Sequence, residues 1–411
     1  MKFHKEELDK ELCQNFKRFY TKTSALRETD YFIKLVYHHF MEQAGDSGRK
    51  KKRVAVLGNS FPKEITCALG PNSRWILGGS PRLAALADSH VPRDTDDTTR
   101  GILGELSLAP EDEDILYVLP VSGDGSRKLS YLLGKLGKKV QTVEIPPAGK
   151  NHDKSLERYC EQMEQCVWAV ERHLGHRITA ASLKKSILRM EKVNGQIRLF
   201  QKITDDSDVL SGAMKLFVSD SFYYSSNIEE WCKNMEILNR RLSKQLSSAK
   251  ERTSRTKPRV LLLGSPVFFP NYKIPFLIED AGLYLHAELS GAVPYKTEVK
   301  MQGIMSAEKI VRQIAEDFYR QEMSCSYAVN QPLKERLEQF LETEQIDGAI
   351  YHVLKGHIAY DFEREQCEKI LERRNIPLFR LETDYKYNDV EQLRIRLEAF
   401  AEMLQHKTRR K

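Results

Sequence analysis

Few groups in this 411-residue chain are spaced as catalysis usually requires. The seven cysteines stand at positions 13, 67, 160, 166, 232, 325 and 367, odd in number and with no C-x-x-C pair. That spacing excludes a zinc finger and argues against a disulfide framework. Each cysteine is expected as a small buried apolar residue. The segment Ser122-Gly123-Asp124-Gly125-Ser126 is rich in glycine and follows an apolar run. Its backbone N–H groups could cradle a phosphate. It fits neither G-x-x-x-x-G-K-[ST] nor G-x-G-x-x-G, so we read it as a plain turn. His38-His39 sits in a helical stretch and reads as a surface pair.

The elements around these groups follow from composition and pattern. With 41% hydrophobic and 30% charged residues, the chain can build real cores. Its length predicts more than one domain. The net charge of +7 is modest and concentrates in the runs 49–53 and 407–411. Neither run is interleaved with stacking aromatics, so a solvated linker and a frayed terminus are expected, with no nucleic-acid partner. No stretch approaches the roughly 18 to 20 apolar residues that span a bilayer. The N-terminus shows no apolar signal region, and the expectation is a cytoplasmic protein without a membrane partner.

Short apolar runs at 53–57, 115–119 and 140–145 read as buried parallel strands, with a helix over 127–136 between the last two. The pattern restarts at 259–263 and continues with candidate strands at 283–287, 348–353 and 377–381. Helices are expected at 274–281, 307–320, 333–343 and 361–374. Between the two patterns, 153–250 reads as long charged helices, with Trp168 and Leu188 assigned to buried stripes. A last helix over 389–405 is expected, capped by Asn388 or Asp389. The fold predicted is α/β, with two flavodoxin-like parallel-sheet domains facing a central cleft and helical segments at the N-terminus and in the middle. The boundaries expected are 1–50 for an N-terminal helical segment and linker, and 51–150 for a first α/β domain. A helical insert follows at 151–257, then a second α/β domain with the C-terminal helix at 258–411. The two halves open alike, with RVAVLGNSFPKE at 53–64 and RVLLLGSPVFFP at 259–270, as an internal duplication would.

Four short motifs stand out beside the stretch 347–404. One is Phe61-Pro62-x-Glu64 followed by Ala68-Leu69-Gly70. Another is Pro92-Arg93-Asp94-Thr95 with Gly101 and Gly104 after it. The third is Asp124-Gly125-Ser126-Arg127-Lys128. The fourth is Glu382-Thr383-Asp384-Tyr385 with Gln392-Leu393-Arg394 and Glu398-Ala399-Phe400. Together they resemble the 2-hydroxyacyl-CoA dehydratase D-component family, which includes subunits like those of 2-hydroxyglutaryl-CoA dehydratase and benzoyl-CoA reductase. The resemblance runs over nearly the whole chain from Arg53 onward.

That resemblance implies lyase chemistry, the removal of water from a 2-hydroxyacyl-CoA. The β-proton is too weakly acidic for an ordinary base, whose contribution is about 10² to 10⁴-fold. The family instead passes one electron from an ATP-driven activator through a 4Fe–4S cluster, which needs soft thiolate ligands. In this chain the ligand positions of the family carry Asp96, Gly123 and His357, and a further one falls on Ser290. None of the seven cysteines sits at a ligand position, so no cluster and no other cofactor is expected. Asp96 and His357 could reach a mononuclear metal, with His352 as a third ligand. We read the site as a polar pocket without metal, since metal sites need three or four ligands. Glu64, with Ser60 as its companion hydroxyl, aligns with an acidic residue that the family places near substrate. These two are the candidate catalytic residues. The expectation is that Asp96, Gly123 and His357 surround one cleft, each after a strand, with Glu64 at the rim.

Three functions are compatible with this pattern. The first is a cluster-less subunit of a dehydratase-type assembly, paired with a Cys-bearing homologous subunit or as a homodimer, with an acyl-CoA ligand. The second is an active dehydratase with atypical cluster ligation. The third is a non-enzymatic acyl-CoA-binding or regulatory protein on the same fold.

Overall fold

A computed structural model of the chain describes residues 2–22, 27–43, 52–92, 94–108, 114–147, 152–205, 209–248, 257–290, 305–325, 327 and 329–409. The chain begins with helices α1 (Lys2–Lys22) and α2 (Asp30–Gln43). Most of the expected linker and of the basic run at 49–53 lies outside the described residues. The first α/β half then runs β1 (Arg53–Leu57), α3 (Lys63–Leu69), β2 (Ser73–Ile76), α4 (Pro81–Ala84), α5 (Asp97–Leu106), β3 (Ile115–Val121), α6 (Asp124–Lys135) and β4 (Lys139–Glu144). Four helices follow: α7 (His152–Leu174), α8 (Ala180–Asp205), α9 (Gly212–Asp220) and α10 (Ile228–Ser248). The second half runs β5 (Arg259–Gly264), α11 (Lys273–Asp280), β6 (Tyr284–Glu288), α12 (Ala307–Gln321), α13 (Gln331–Thr343), β7 (Gly348–Leu354), α14 (Ile358–Glu372), β8 (Leu378–Thr383) and α15 (Val390–Arg409).

Both sheets are parallel, and they share one order. The first is β2-β1-β3-β4 and the second β6-β5-β7-β8. Every residue of β3, β5 and β7 is buried. Such runs are apolar on both faces because helices cover both sides of a parallel sheet. The sequence missed β2, whose four residues Ser73–Ile76 offer too short an apolar run to register beside β1.

In each sheet the chain leaves the first strand toward one edge and returns on its other side. That reversal opens a crevice at the carboxyl ends, between β1 and β3 and between β5 and β7. An aromatic cluster braces the second crevice. Phe16 and Phe19 of α1 meet Phe217 of α9 and Phe269 in the loop after β5, with centroids 4.8 to 6.3 Å apart. Each such ring pair adds about 0.5 to 1.5 kcal/mol beyond its burial.

The middle segment has helices and no strand among its described residues, but two assignments to its core fail. Trp168 is 59% exposed and Leu188 is 54% exposed. Each directly follows a buried neighbour, Val167 and Ile187, and a 100° step turns it toward solvent. Trp168 stacks instead under the Arg172 guanidinium, 4.8 Å from the ring centroid. Cys13 is exposed, against the expectation of a buried thiol. His39 is not on the surface either. It lies part-buried against Tyr224, and burial first, then the nearby Arg74 charge, pulls its imidazole down to about 3.

Candidate functional site

The two halves meet along the carboxyl ends of their strands. Asn271 N–H donates to the Gly79 carbonyl at 3.0 Å, and a Cβ on Gly79 would stand 2.4 Å from the Phe269 carbonyl. Backbone therefore lies on backbone there, which only glycine permits. Tyr385 N–H, after β8, donates to Asp97 Oδ2 at 2.6 Å.

Asp96 and His357 are joined across this junction. Asp96 caps α5 from the first half, accepting from Thr99 N–H at 2.8 Å. His357 ends the β7 loop in the second half and stands at the start of α14. Its Nε2 is 3.1 Å from Asp96 Oδ1. Gly356 before it has φ +90°, and its open face lies against the backbone of Asp94 and Asp96. Burial would raise the Asp96 carboxyl. The hydrogen bond and charge of His357, with the Thr99 donors, outweigh burial and hold it below the usual carboxylate range. Gly123 begins α6, and two residues on, a Cβ on Gly125 would stand 2.5 Å from Asp96 Oδ2. Asp96 and His357 thus come to one place, and α6 reaches it through Gly125, while a Cβ on Gly123 would meet open space. One part of the expectation is corrected: Asp96 does not follow a strand, since α4 and one short 3-10 segment separate it from β2.

The other candidate pair stays together around Lys63, which lies near both Glu64 and Glu322, the partner of Ser60. Ser60 follows β1, and its hydroxyl hydrogen bonds the Glu322 carboxyl beyond α12. Glu64 is not at a rim. It lies in the first turn of α3, only 1% exposed. A chain of neighbours still links Ser60 to the ion pair. Glu322 lies near Cys325, the Cys325 thiol hydrogen bonds the Tyr360 hydroxyl, and the Tyr360 ring is 5.6 Å from that of His357. His352 is not part of the pair. It lies inside β7 with Nδ1 3.1 Å from the Ser265 carbonyl, and burial pulls it down to about 4.

Beside Ser60 is a buried charge cluster that spacing did not reveal. Lys63 lies among Glu64, Asp220 and Glu322, and burial pulls it down to about 8 against their attraction. Burial pushes Asp220 up to about 7 and Glu322 up to about 7, each opposed by Lys63. Burial, with Asp220 beside it, pushes Glu288 up to about 8. Tyr272 hydroxyl is 3.4 Å from Asp220 Oδ2. One signal could have found Asp220: it is a lone acid in the apolar stretch 213–224.

A family model described as 2-hydroxyglutaryl-CoA dehydratase, D-component, matches residues 59–404. The chain belongs to that family. It is 25% identical over 293 residues to the protein named "Putative dehydratase subunit YjiM" of Escherichia coli (strain K12), covering 70% of this chain and 74% of that protein.

The donors at this junction do not fit the 4Fe–4S cluster that the resemblance implies. Asp96 spends its carboxylate on Thr99 and His357, and Gly123 offers no donor. Among the described residues, no group of three or more His, Cys, Asp and Glu side chains could hold a metal ion.

Proposed function

We propose that this chain is a cluster-less subunit of a dehydratase-type assembly acting on a 2-hydroxyacyl-CoA. The observation that carries the reading is the Asp96–His357 pair, a carboxylate and an imidazole engaged with each other at family ligand positions. Thiolates are the ligands iron–sulfur chemistry requires, and here their places hold groups that satisfy one another. The work left to this chain is binding and orientation. Asp96 fixes His357 at the floor of the junction, and Ser60 with Glu322 forms a second polar point in the same line of side chains. Electron transfer falls to a Cys-bearing homologous subunit.

A docking face supports the partner. Ile358 and Phe362, one turn apart on α14 directly after His357, are 68% and 77% exposed. Apolar groups so exposed beside a site mark contact surfaces more often than free surface when they cluster.

The test is anaerobic co-expression with a Cys-bearing homologue of the family, followed by iron and sulfide analysis of the separated chains. This chain is expected colourless, with the iron in the partner. About four irons per chain in this protein alone would overturn the reading, since such clusters take about four ligands, mostly Cys. A strict monomer that never captures the homologue would overturn the subunit assignment.

A further inference from the structure

Away from the Asp96–His357 pair, a cavity of about 370 Å³ lies beside β6, the edge strand of the second sheet. Its walls come from α8, α9, β6 and α13. The volume lies in the range of small-molecule sites, about 300 to 1,000 Å³. Phe200, Leu216, Leu285 and Phe340 give it an apolar body. Helix α9 runs alongside β6 in the same direction. A Cβ on Gly212 would stand 2.1 Å from the Leu285 carbonyl, and Lys215 Nζ donates to the His286 carbonyl at 3.2 Å. The last residues of the two elements, Asp220 and Glu288, therefore share one end of the cavity, and both stand in its wall.

The acids at that end keep unused acceptors. Asp220 is only 5% exposed. From the described residues its carboxyl receives one hydrogen bond, from the Tyr272 hydroxyl, 3.4 Å from Oδ2. Its Oδ1 receives none, and a buried carboxyl oxygen without a donor is costly. Glu288 accepts the Ser290 N–H through Oε1 at 2.9 Å, which leaves Oε2. Lys63 lies near Asp220 but is shared with Glu64 and Glu322, one ammonium among three acids. The other charges of the wall sit elsewhere. Lys215 Nζ lies 5.4 Å from the Tyr284 ring centroid, and five residues of α9, about 7.5 Å of rise, separate Lys215 from Asp220. Arg336 is on the exposed side, where water screens its charge. Glu344 is already matched by His286, whose Nε2 is 3.0 Å from its Oε2.

We infer that this cavity binds a small amphipathic amine, its ammonium donating to Asp220 and Glu288 and its hydrocarbon body against Phe200, Leu216, Leu285 and Phe340. An ammonium carries three N–H donors and no acceptor, so one group serves both carboxyls. A carboxyl keeps acceptor capacity in either protonation state, so the hydrogen bonds do not depend on both acids being ionised beforehand. The apolar wall supplies the burial. None of these six residues belongs to the Asp96–His357 junction, so the inference goes beyond the proposed function and survives its failure.

The test is calorimetric titration of the full chain at pH 7, where an alkylamine is an ammonium, with four probes: hexan-1-amine, hexan-1-ol, hexanoate and methylamine. Hexan-1-amine is expected to bind saturably at one site. Hexan-1-ol lacks the ammonium, hexanoate carries the wrong charge and methylamine lacks the apolar body, so each should bind about tenfold more weakly or worse. Asp220→Asn should lower hexan-1-amine affinity by about tenfold or more. Glu288→Gln, at the half-buried end of β6, should lower it in the same direction and serves if circular dichroism shows the first variant unfolded. Leu216→Trp should abolish binding by filling the cavity. Hexan-1-ol or hexanoate binding as tightly as hexan-1-amine would overturn the inference, and so would methylamine doing so. Full hexan-1-amine affinity in the folded carboxyl variants or in Leu216→Trp, or no saturable heat with the parent chain, would overturn it as well.

Discussion

Substitution of Asp96 tests the junction most directly, because that side chain does two things. It caps α5 through Thr99 N–H at 2.8 Å, and it holds His357 at 3.1 Å from the other half. Replacing a capping Asp by Ala costs about 1 kcal/mol. Losing a hydrogen bond to a charged group costs about 1.5 to 3 kcal/mol. Asp96→Ala should therefore destabilise the protein by about 2.5 to 4 kcal/mol. Asp96→Asn keeps a capping oxygen and a neutral acceptor, so its loss should be nearer 1 kcal/mol. The pH dependence has a definite sign. The folded-state carboxyl lies below its ordinary value, so its contribution is present above the unfolded value of about 3.9 and is lost as pH falls through the folded one. Below pH 4 the gap between parent and Asn variant should close. The assay is urea unfolding followed by circular dichroism, at pH 7 and at steps down to pH 3. An Asp96→Ala midpoint equal to the parent's at pH 7 would refute the argument. A gap that persists unchanged at pH 3 would refute the charge component.

Three further outcomes are expected. Lys273, with a side chain 1% exposed, donates to Thr383, to the carbonyls of Asp384 and Lys386, and to Asp389 at 3.0 Å. Lys273→Met should cost about 3 to 5 kcal/mol in urea unfolding, as breaking one side of a buried pair does; an unchanged midpoint would contradict that network. Gly104→Ala places a Cβ 1.7 Å from the Leu83 carbonyl where α5 crosses α4, so soluble yield should fall sharply, and a fully stable variant would show that this crossing is not tight. The triple variant D96C/G123C/H357C, reconstituted with iron and sulfide without oxygen, should take up iron that the parent does not; no uptake would mean that the three positions do not enclose one metal-sized space.

Much of the sheet architecture was legible because buried parallel strands read as unbroken apolar runs. RVAVL and RVLLL could hardly be anything else, and both begin sheets of the same order. What escaped was short, edge-on or dependent on distant partners. SRWI at β2 carries two polar residues in four and borrows its burial from neighbours. By pattern Asp389 is a helix cap, but its carboxylate accepts from Lys273 and Thr383, partners 116 and 6 residues away. Glu64 in a first turn after proline gave no sign of being almost fully buried, since α3 lies inside the fold. The cluster of Lys63, Asp220, Glu288 and Glu322 draws on four separate elements or loops, so no spacing could announce it.

The same contrast explains the junction. A metal cluster ligated from both halves would tie them by bonds no hydrogen bond can match. Positions 96 and 123 lie on the first half and 357 on the second, so thiolates at those places would supply a cross-link as well as a redox centre. The chain closes the gap with weaker contacts in number: Asp96 to His357, Tyr385 N–H to Asp97, and Asn271 N–H to the Gly79 carbonyl. Of these, only the first depends on two side chains. It is therefore the contact that substitution can remove cleanly, and the one whose loss should loosen the halves while leaving both sheets intact.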